Sequence, residues 1–178
     1  YVKNSTVKNA NITGYRKVGG VVGAANQAAV VTGNSIDASK VTADQTAEYK
    51  EVKAADLGAI VGYKHAQATE QNNTATSVNL FHKVDSIDEL KAHAEGAQLI
   101  LAEGTYDINE ALSVACAIQA AEGTTVTINA AGNTITAGND SDYSFIAKPN
   151  STFVFNEANI ISNGGGIAAS SAGSKVIF

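Results

Sequence analysis

The sequence predicts an all-β, repeat-built β-solenoid, and three observations carry that reading. A glycine-flanked apolar unit occurs twice in the first half, a capping box marks one short helix near the middle, and a turn-plus-strand pattern recurs in the second half. Motifs that return roughly every 20 to 50 residues are the mark of stacked coils. Composition agrees: Ala, Val and Ile dominate the apolar side chains, beside 16 glycines, one proline and neither Met nor Trp. Small and β-branched side chains suit narrow stacked strands better than a bulky globular core.

The first series is Val18-Gly19-Gly20-Val21-Val22-Gly23-Ala24, which returns as Leu57-Gly58-Ala59-Ile60-Val61-Gly62-Tyr63 with Gly19 and Gly58 39 residues apart. Asn-led polar turns bracket the two: Asn4-Ser5-Thr6-Val7, Asn34-Ser35-Ile36 and Asn73-Thr74-Ala75-Thr76. Glycine on both sides of a short apolar core lets neighbouring backbones approach and turn sharply, as the corners of a coil require. These units resemble the GLUG repeats of bacterial surface proteins over residues 4–80. They depart from that pattern at Ala59, which replaces the second glycine, and in the charged insert 42–55, whose conformation is open between a helical turn and a loop.

A different pattern starts at Val84-Asp85-Ser86-Ile87-Asp88-Glu89-Leu90. Ser86 followed by Glu89 is a capping box, and Ile87, Leu90 and Ala94 share one helical face, so a short helix near 86–95 is expected. Gln98-Leu99-Ile100-Leu101-Ala102-Glu103-Gly104-Thr105-Tyr106 then reads as a strand ending in a Gly-Thr-Tyr turn. Helix, strand and turn together look like the capped start of a pectate-lyase-like right-handed parallel β-helix, a resemblance that implies a helix over the open coil end. The coils after it align as Gly123-Thr124-Thr125-Val126-Thr127-Ile128, Asn150-Ser151-Thr152-Phe153-Val154-Phe155 and Gly173-Ser174-Lys175-Val176-Ile177-Phe178. Thr134-Ile135-Thr136, Ser144-Phe145-Ile146-Ala147 and Asn159-Ile160-Ile161 supply further walls, with Asn and Gly at corners that need left-handed backbone. The organisation expected is therefore GLUG-like β repeats over 1–83 and a capped parallel β-helix over 84–178. With no Met, and with Phe178 in mid-coil, we expect a processed or cut chain whose parent continues.

Charge narrows the partners. With 12 basic against 17 acidic residues, one arginine (Arg16) and no lysine cluster, the chain lacks the concentrated positive charge that nucleic acid or an anionic membrane surface demands. No apolar run approaches the ~20 residues that span a bilayer. The lone Cys116, within Val114-Ala115-Cys116-Ala117-Ile118, reads as a buried small hydrophobe, since one cysteine makes no disulfide within the chain.

Parallel β-helices often carry polysaccharide lyases and hydrolases, so catalytic groups were sought residue by residue. A lyase needs a basic residue and usually a calcium ion on stacked carboxylates. Residues 84–178 contain no arginine, and Lys91, Lys148 and Lys175 are scattered. An inverting hydrolase needs carboxylates about 6.5 to 9.5 Å apart, yet no adjacent Asp pair occurs. Asp140 and Asp142 come nearest, and their spacing suits at most a weakly held calcium, the plain alternative being a solvated turn. His65, His82 and His93 have no partner at metal-ligand spacing, so surface or boundary roles are expected of them, and no Gly-x-Ser-x-Gly turn is written.

The expectation is a segment with no catalytic residue and no cofactor. Tyr15, Tyr49, Tyr63, Tyr106 and Tyr143 are candidate stacking faces for sugars, against a structural role for a tyrosine at a turn. Several Asn-x-Ser/Thr sequons arise from composition in so Asn- and Thr-rich a chain. The GLUG resemblance implies an extracellular or cell-surface bacterial protein with an adhesive or structural role. Its partners would be glycans, host or neighbouring-cell surface proteins, or other copies of itself. A polysaccharide-degrading enzyme with active coils beyond Phe178, and a filament protomer, are the alternatives.

Overall fold

The computed structural model describes residues 1–46, 56–94, 97–139, 143–169 and 171–178. The described chain is a parallel β-solenoid: short strands pair in parallel with their counterparts one coil away, and one short helix interrupts them. It divides into two compact units, Tyr1–His82 and Lys83–Phe178.

The first coil of the first unit comprises β1 (Val2–Lys3), β2 (Thr6–Lys8), β3 (Asn11–Gly14), β4 (Val18–Gly19) and β5 (Val22–Ala25). The second repeats it as β6 (Val30–Thr32), β7 (Ser35–Asp37), β8 (Lys40–Asp44), β9 (Leu57–Gly58) and β10 (Val61–Lys64). A third begins with β11 (Thr69–Gln71), β12 (Thr74–Thr76) and β13 (Asn79–Val84). Val7 faces Ile36 and Ile12 faces Val41, a step of 29, whereas Val18 faces Leu57 and Val22 faces Val61, a step of 39. The 39-residue period read from the sequence is therefore a 29-residue coil enlarged by the insert between β8 and β9. Residues 47–55 of that insert, Tyr49 among them, lie outside the described residues.

The glycine-flanked units are in register, and sterics explain their glycines. A Cβ on Gly19 would sit 2.1 Å from the Val22 carbonyl oxygen and 2.5 Å from the Gly62 nitrogen, and one on Gly62 would strike the Lys17–Val18 backbone at 2.5 Å. No side chain fits where backbone passes that close. The core is correspondingly small, with Val18, Val31, Ile36, Val41 and Ile60 at its centre.

Polar corners tie the coils together. The amide of Asn34, 1 % exposed, accepts from the Ser5 N–H at 3.0 Å and donates from Nδ2 to Val2 O and Asn73 Oδ1, both at 3.1 Å. Its own backbone N–H donates to Asn73 Oδ1 at 2.9 Å, and Asn73 Nδ2 continues to Val31 O at 3.1 Å. The ladder position is thus Ser5, Asn34 and Asn73. Asn4 instead stacks with Gly33 and Asn72 as a left-handed corner, with φ of 54°, 67° and 56°. A second left-handed corner stacks Asn9, Ala38 and Ser77 at 51°, 46° and 52°.

The second unit opens with α1 (Ile87–Ala92). Ser86 Oγ accepts the Glu89 N–H at 3.3 Å, and Glu89 Oε2 reaches back to the Asp85 N–H at 3.2 Å, a capping box displaced by one residue at its return bond. The helix is shorter than the 86–95 expected because His93 leaves helical geometry as the C-cap. Leu90 enters the unit's core and Ile87 packs against it.

The coils follow with three walls. β14 (Gln98–Leu101), β15 (Gly104–Asp107) and β16 (Leu112–Val114) form the first coil; β17 (Ile118–Ala120), β18 (Thr125–Asn129) and β19 (Thr134–Ala137) the second coil. β20 (Phe145–Ala147), β21 (Thr152–Asn156) and β22 (Asn159–Ser162) form the third, and β23 (Ile167–Ala169) and β24 (Lys175–Ile177) belong to a fourth. The sequence alignment of the coils holds residue for residue: Val126 faces Phe153, and Phe153 faces Val176. One expectation fails. Gly104-Thr105-Tyr106 is not a turn but strand β15, the first member of that wall, with Tyr106 opposite Ile128.

Two stability predictions follow from the corners. Asn34→Ala leaves the Ser5 and Val2 backbone groups without their buried partner, and a loss of about 2 to 3 kcal/mol is expected, read as a lower urea midpoint at unchanged slope. Ala38→Gly should act in the opposite direction, raising stability by about 0.5 to 1 kcal/mol, because it relieves the Cβ cost of the left-handed corner. An Ala38→Gly midpoint below the parent's would mean that this corner is not left-handed in solution.

Candidate contact surface

Strand alternation sorts the wall β15-β18-β21-β24 into two faces. Inward go Tyr106, Val126, Ile128, Phe153 and Phe155, all buried. The aromatic rings lock together: Phe145 meets Phe153 and Phe155 edge-on at 5.8 and 5.1 Å, and Phe155 stacks on Phe178 at 5.6 Å. A packed interior of this kind holds the outward positions in fixed register.

Outward, the wall presents Thr125 beside Thr152, Thr105 beside Thr127, and Asp107, Asn129 and Asn156 in one column. That column is hydrogen-bonded along its length. Asn129 Nδ2 donates to Asp107 Oδ1 at 2.8 Å, and Asn156 Nδ2 donates to Asn129 Oδ1 at 2.8 Å. Both amides are thereby oriented: Asn129 engages Nδ2 and Oδ1 in the ladder and Asn156 its Nδ2, which leaves a second N–H on each and the remaining lone pairs for a partner. Sequence reasoning passed over this ladder. Its signal is present as the equivalent ends of Thr125-Val126-Thr127-Ile128-Asn129 and Thr152-Phe153-Val154-Phe155-Asn156, but Asp107 could join only once Gly104-Thr105-Tyr106 was recognised as a strand.

The proposed tyrosines scatter. Tyr106 is 1 % exposed, and its hydroxyl lies 3.0 Å from Val84 O and 3.1 Å from Ala102 O, both within its donating range. It is a core residue and offers no ring face to a ligand, because strand alternation turns it inward between Thr105 and Asp107. Burial, with Asp85 nearby, pushes its phenol far above the ordinary value. Tyr63 is half-buried, and Lys17 Nζ lies 4.4 Å from its ring centroid, so one face is already occupied by a cation. Tyr15 and Tyr143 remain open, at 54 % and 50 % exposure, the first in the first unit and the second in the second. Asp140 and Asp142 lie outside the described residues.

Histidine placement divides the expectation of surface or boundary roles, since His82 is the last residue of the first unit but is not on the surface. His82 and His93 are both buried, at 3 % and 4 % exposure, while His65 is half-buried and its Nδ1 accepts the Gln67 N–H at 3.2 Å. Cys116 is buried, and desolvation pushes its thiol up to about 11. The second unit carries four lysines against eleven acidic residues, and Lys91 is engaged with Glu110 at 2.6 Å, a contact that holds the Glu110 carboxyl below its usual value.

The fold class is thus a parallel β-solenoid, with an ordered polar column on one wall of its second unit. No family model, curated protein or solved structure matches the chain.

Burial holds the His93 imidazole below 6.5, so the folded state keeps it neutral where the unfolded chain would take up a proton. Its contribution to stability is complete above pH 6.5 and is lost as pH falls from there towards the lowered folded value. The urea midpoint should therefore drop between pH 7.5 and 5.5, and the drop should shrink in His93→Gln. An equal drop in that variant would assign the pH dependence to other groups.

Proposed function

We propose that the chain is a non-catalytic segment of a bacterial cell-surface or secreted protein, an adhesive or structural β-solenoid that meets glycans or a neighbouring surface protein through its regular flank. The observation that supports this most is the Asp107-Asn129-Asn156 column, a carboxylate and two amides hydrogen-bonded in a row, one per coil, on an outer wall. Repetition at strand spacing, about 4.8 Å per coil, suits an extended partner with its own short repeat, such as a polysaccharide. A partner of that kind is met by many weak, similar contacts, and the solenoid supplies the register between them. The likeness of the glycine-flanked units to GLUG repeats supports the surface location.

The test is a glycan-array screen of the purified chain, with release of new reducing or unsaturated ends measured on every sugar that binds. Binding without product is the expected outcome, and Asn129→Leu with Asn156→Leu should weaken it by about tenfold, as the loss of two polar contacts requires. Product formation would overturn the reading in favour of a polysaccharide-degrading enzyme. Concentration-dependent polymers that bind no sugar would favour a filament protomer.

A further inference from the structure

We propose that Tyr143 is a preformed stacking platform for the C–H face of a neutral pyranose, with its ring laid over Gly165 and its other face open to solvent. The inference rests on the adhesive reading above and assigns it a second contact point, separate from the amide column.

Gly165 carries the argument. A Cβ built there would lie 3.1 Å from Tyr143 Cδ1, 3.3 Å from Cε1 and 3.6 Å from Cγ. No point in the plane of the ring lies that close to Cδ1 and to both of its neighbouring carbons at once, so the glycine sits beneath the ring face. Gly166 has φ +85°, a conformation that favours glycine for backbone reasons, whereas Gly165 lies outside the left-handed region. A side chain at Gly165 would press on the ring, which would have to give way by a few tenths of an ångström. One face of Tyr143 is therefore spent on the chain while the residue as a whole stays 50 % exposed.

The platform is fixed at both margins. Next to Tyr143, the fully buried Ser144 donates its N–H to Gly166 O at 2.8 Å, and Phe145 is seated in the core. Beneath it, Ser162 Oγ accepts the N–H groups of Gly164 and Gly166 at 3.2 and 3.0 Å. Ser144 Oγ donates to Ala137 O at 2.7 Å, and the Ser144 and Ser162 hydroxyls lie 2.6 Å apart. The Asn163 N–H is tied to Ala137 O at 2.9 Å. A ring held this way gives up little freedom on binding, so its contact energy is realised as affinity.

The chemistry selects the ligand class. A phenol ring with one open face takes up the apolar side of a sugar, and the exposed Asn163 of the same turn has an amide for its hydroxyls. The excess of acidic over basic residues in this unit, eleven to four, disfavours uronates and sulfated sugars.

The test uses the full chain with cellohexaose, chitohexaose and a β-1,4-galactohexaose as probes, followed by calorimetry and by the NMR shifts of the tyrosine ring protons. At least one probe should bind and move the Tyr143 ring signals. Tyr143→Ala should weaken it about tenfold, Tyr143→Trp should preserve it, and Tyr15→Ala should leave it unchanged. Gly165→Val, which displaces the ring but keeps it, should weaken binding as Tyr143→Ala does. Unchanged urea midpoints establish that the variants are folded. Undiminished binding by Tyr143→Ala overturns the platform and leaves the adhesive reading standing, and so does failure of all three probes beside a positive glycan array. An array on which no sugar binds removes both.

Discussion

Everything in this structure depends on one constraint: the backbone of each coil hydrogen-bonds to the coil beside it, in parallel and in register. Strands of two to six residues have too few bonds to stand alone. They persist because each pairs with an equivalent strand in a neighbouring coil, and because every departure from strand geometry recurs at the same height in the next coil. The left-handed corners show the second condition. Asn4, Gly33 and Asn72 differ chemically but share one conformation, since any other would break the stack on both sides.

The same constraint decides where polar groups are buried. A corner turns backbone N–H and C=O groups away from the strand ladder, and these need partners out of reach of water. The Asn34 side chain supplies them to the first coil and Asn73 to the second, which is why a nearly fully buried amide is tolerated in a core otherwise made of Val, Ile and Ala. The second unit meets the need with serine: Ser144, Ser151 and Ser162 return hydroxyls to nearby backbone, and its interior is filled by Phe, Leu and Ile instead of being narrowed by glycine. Small interior and glycine corners in one unit, larger interior and hydroxyl corners in the other, are two solutions to one packing problem.

For function, the consequence is a flank whose side chains are spaced by the stack and oriented by hydrogen bonds to one another. Asn129 and Asn156 are exposed enough to meet a partner and fixed enough to meet it in register. Tyr143 is held from below by a glycine and from the side by the buried Ser144. Such groups suit recognition of an extended, repetitive surface, for which precise spacing matters more than a deep pocket.

The sequence by itself determined the solenoid, the division near residue 83, the capping box and the alignment of the later coils, because each is written locally as a turn residue before a short strand or as a cap at fixed spacing. It did not determine which residue of an Asn-Ser or Asn-Asn pair joins the ladder, since Asn4 and Ser5 differ only in bonds made 29 residues away. It misplaced Tyr106, because Gly104 looks like a turn while the strand beyond it is recognisable only by pairing with β18. Only the tertiary structure decided which tyrosines reach solvent, which histidines are buried and which outward amides form a column. These are properties of the neighbouring coil, and a residue's neighbours in the next coil lie some 20 to 40 positions away, beyond any local pattern.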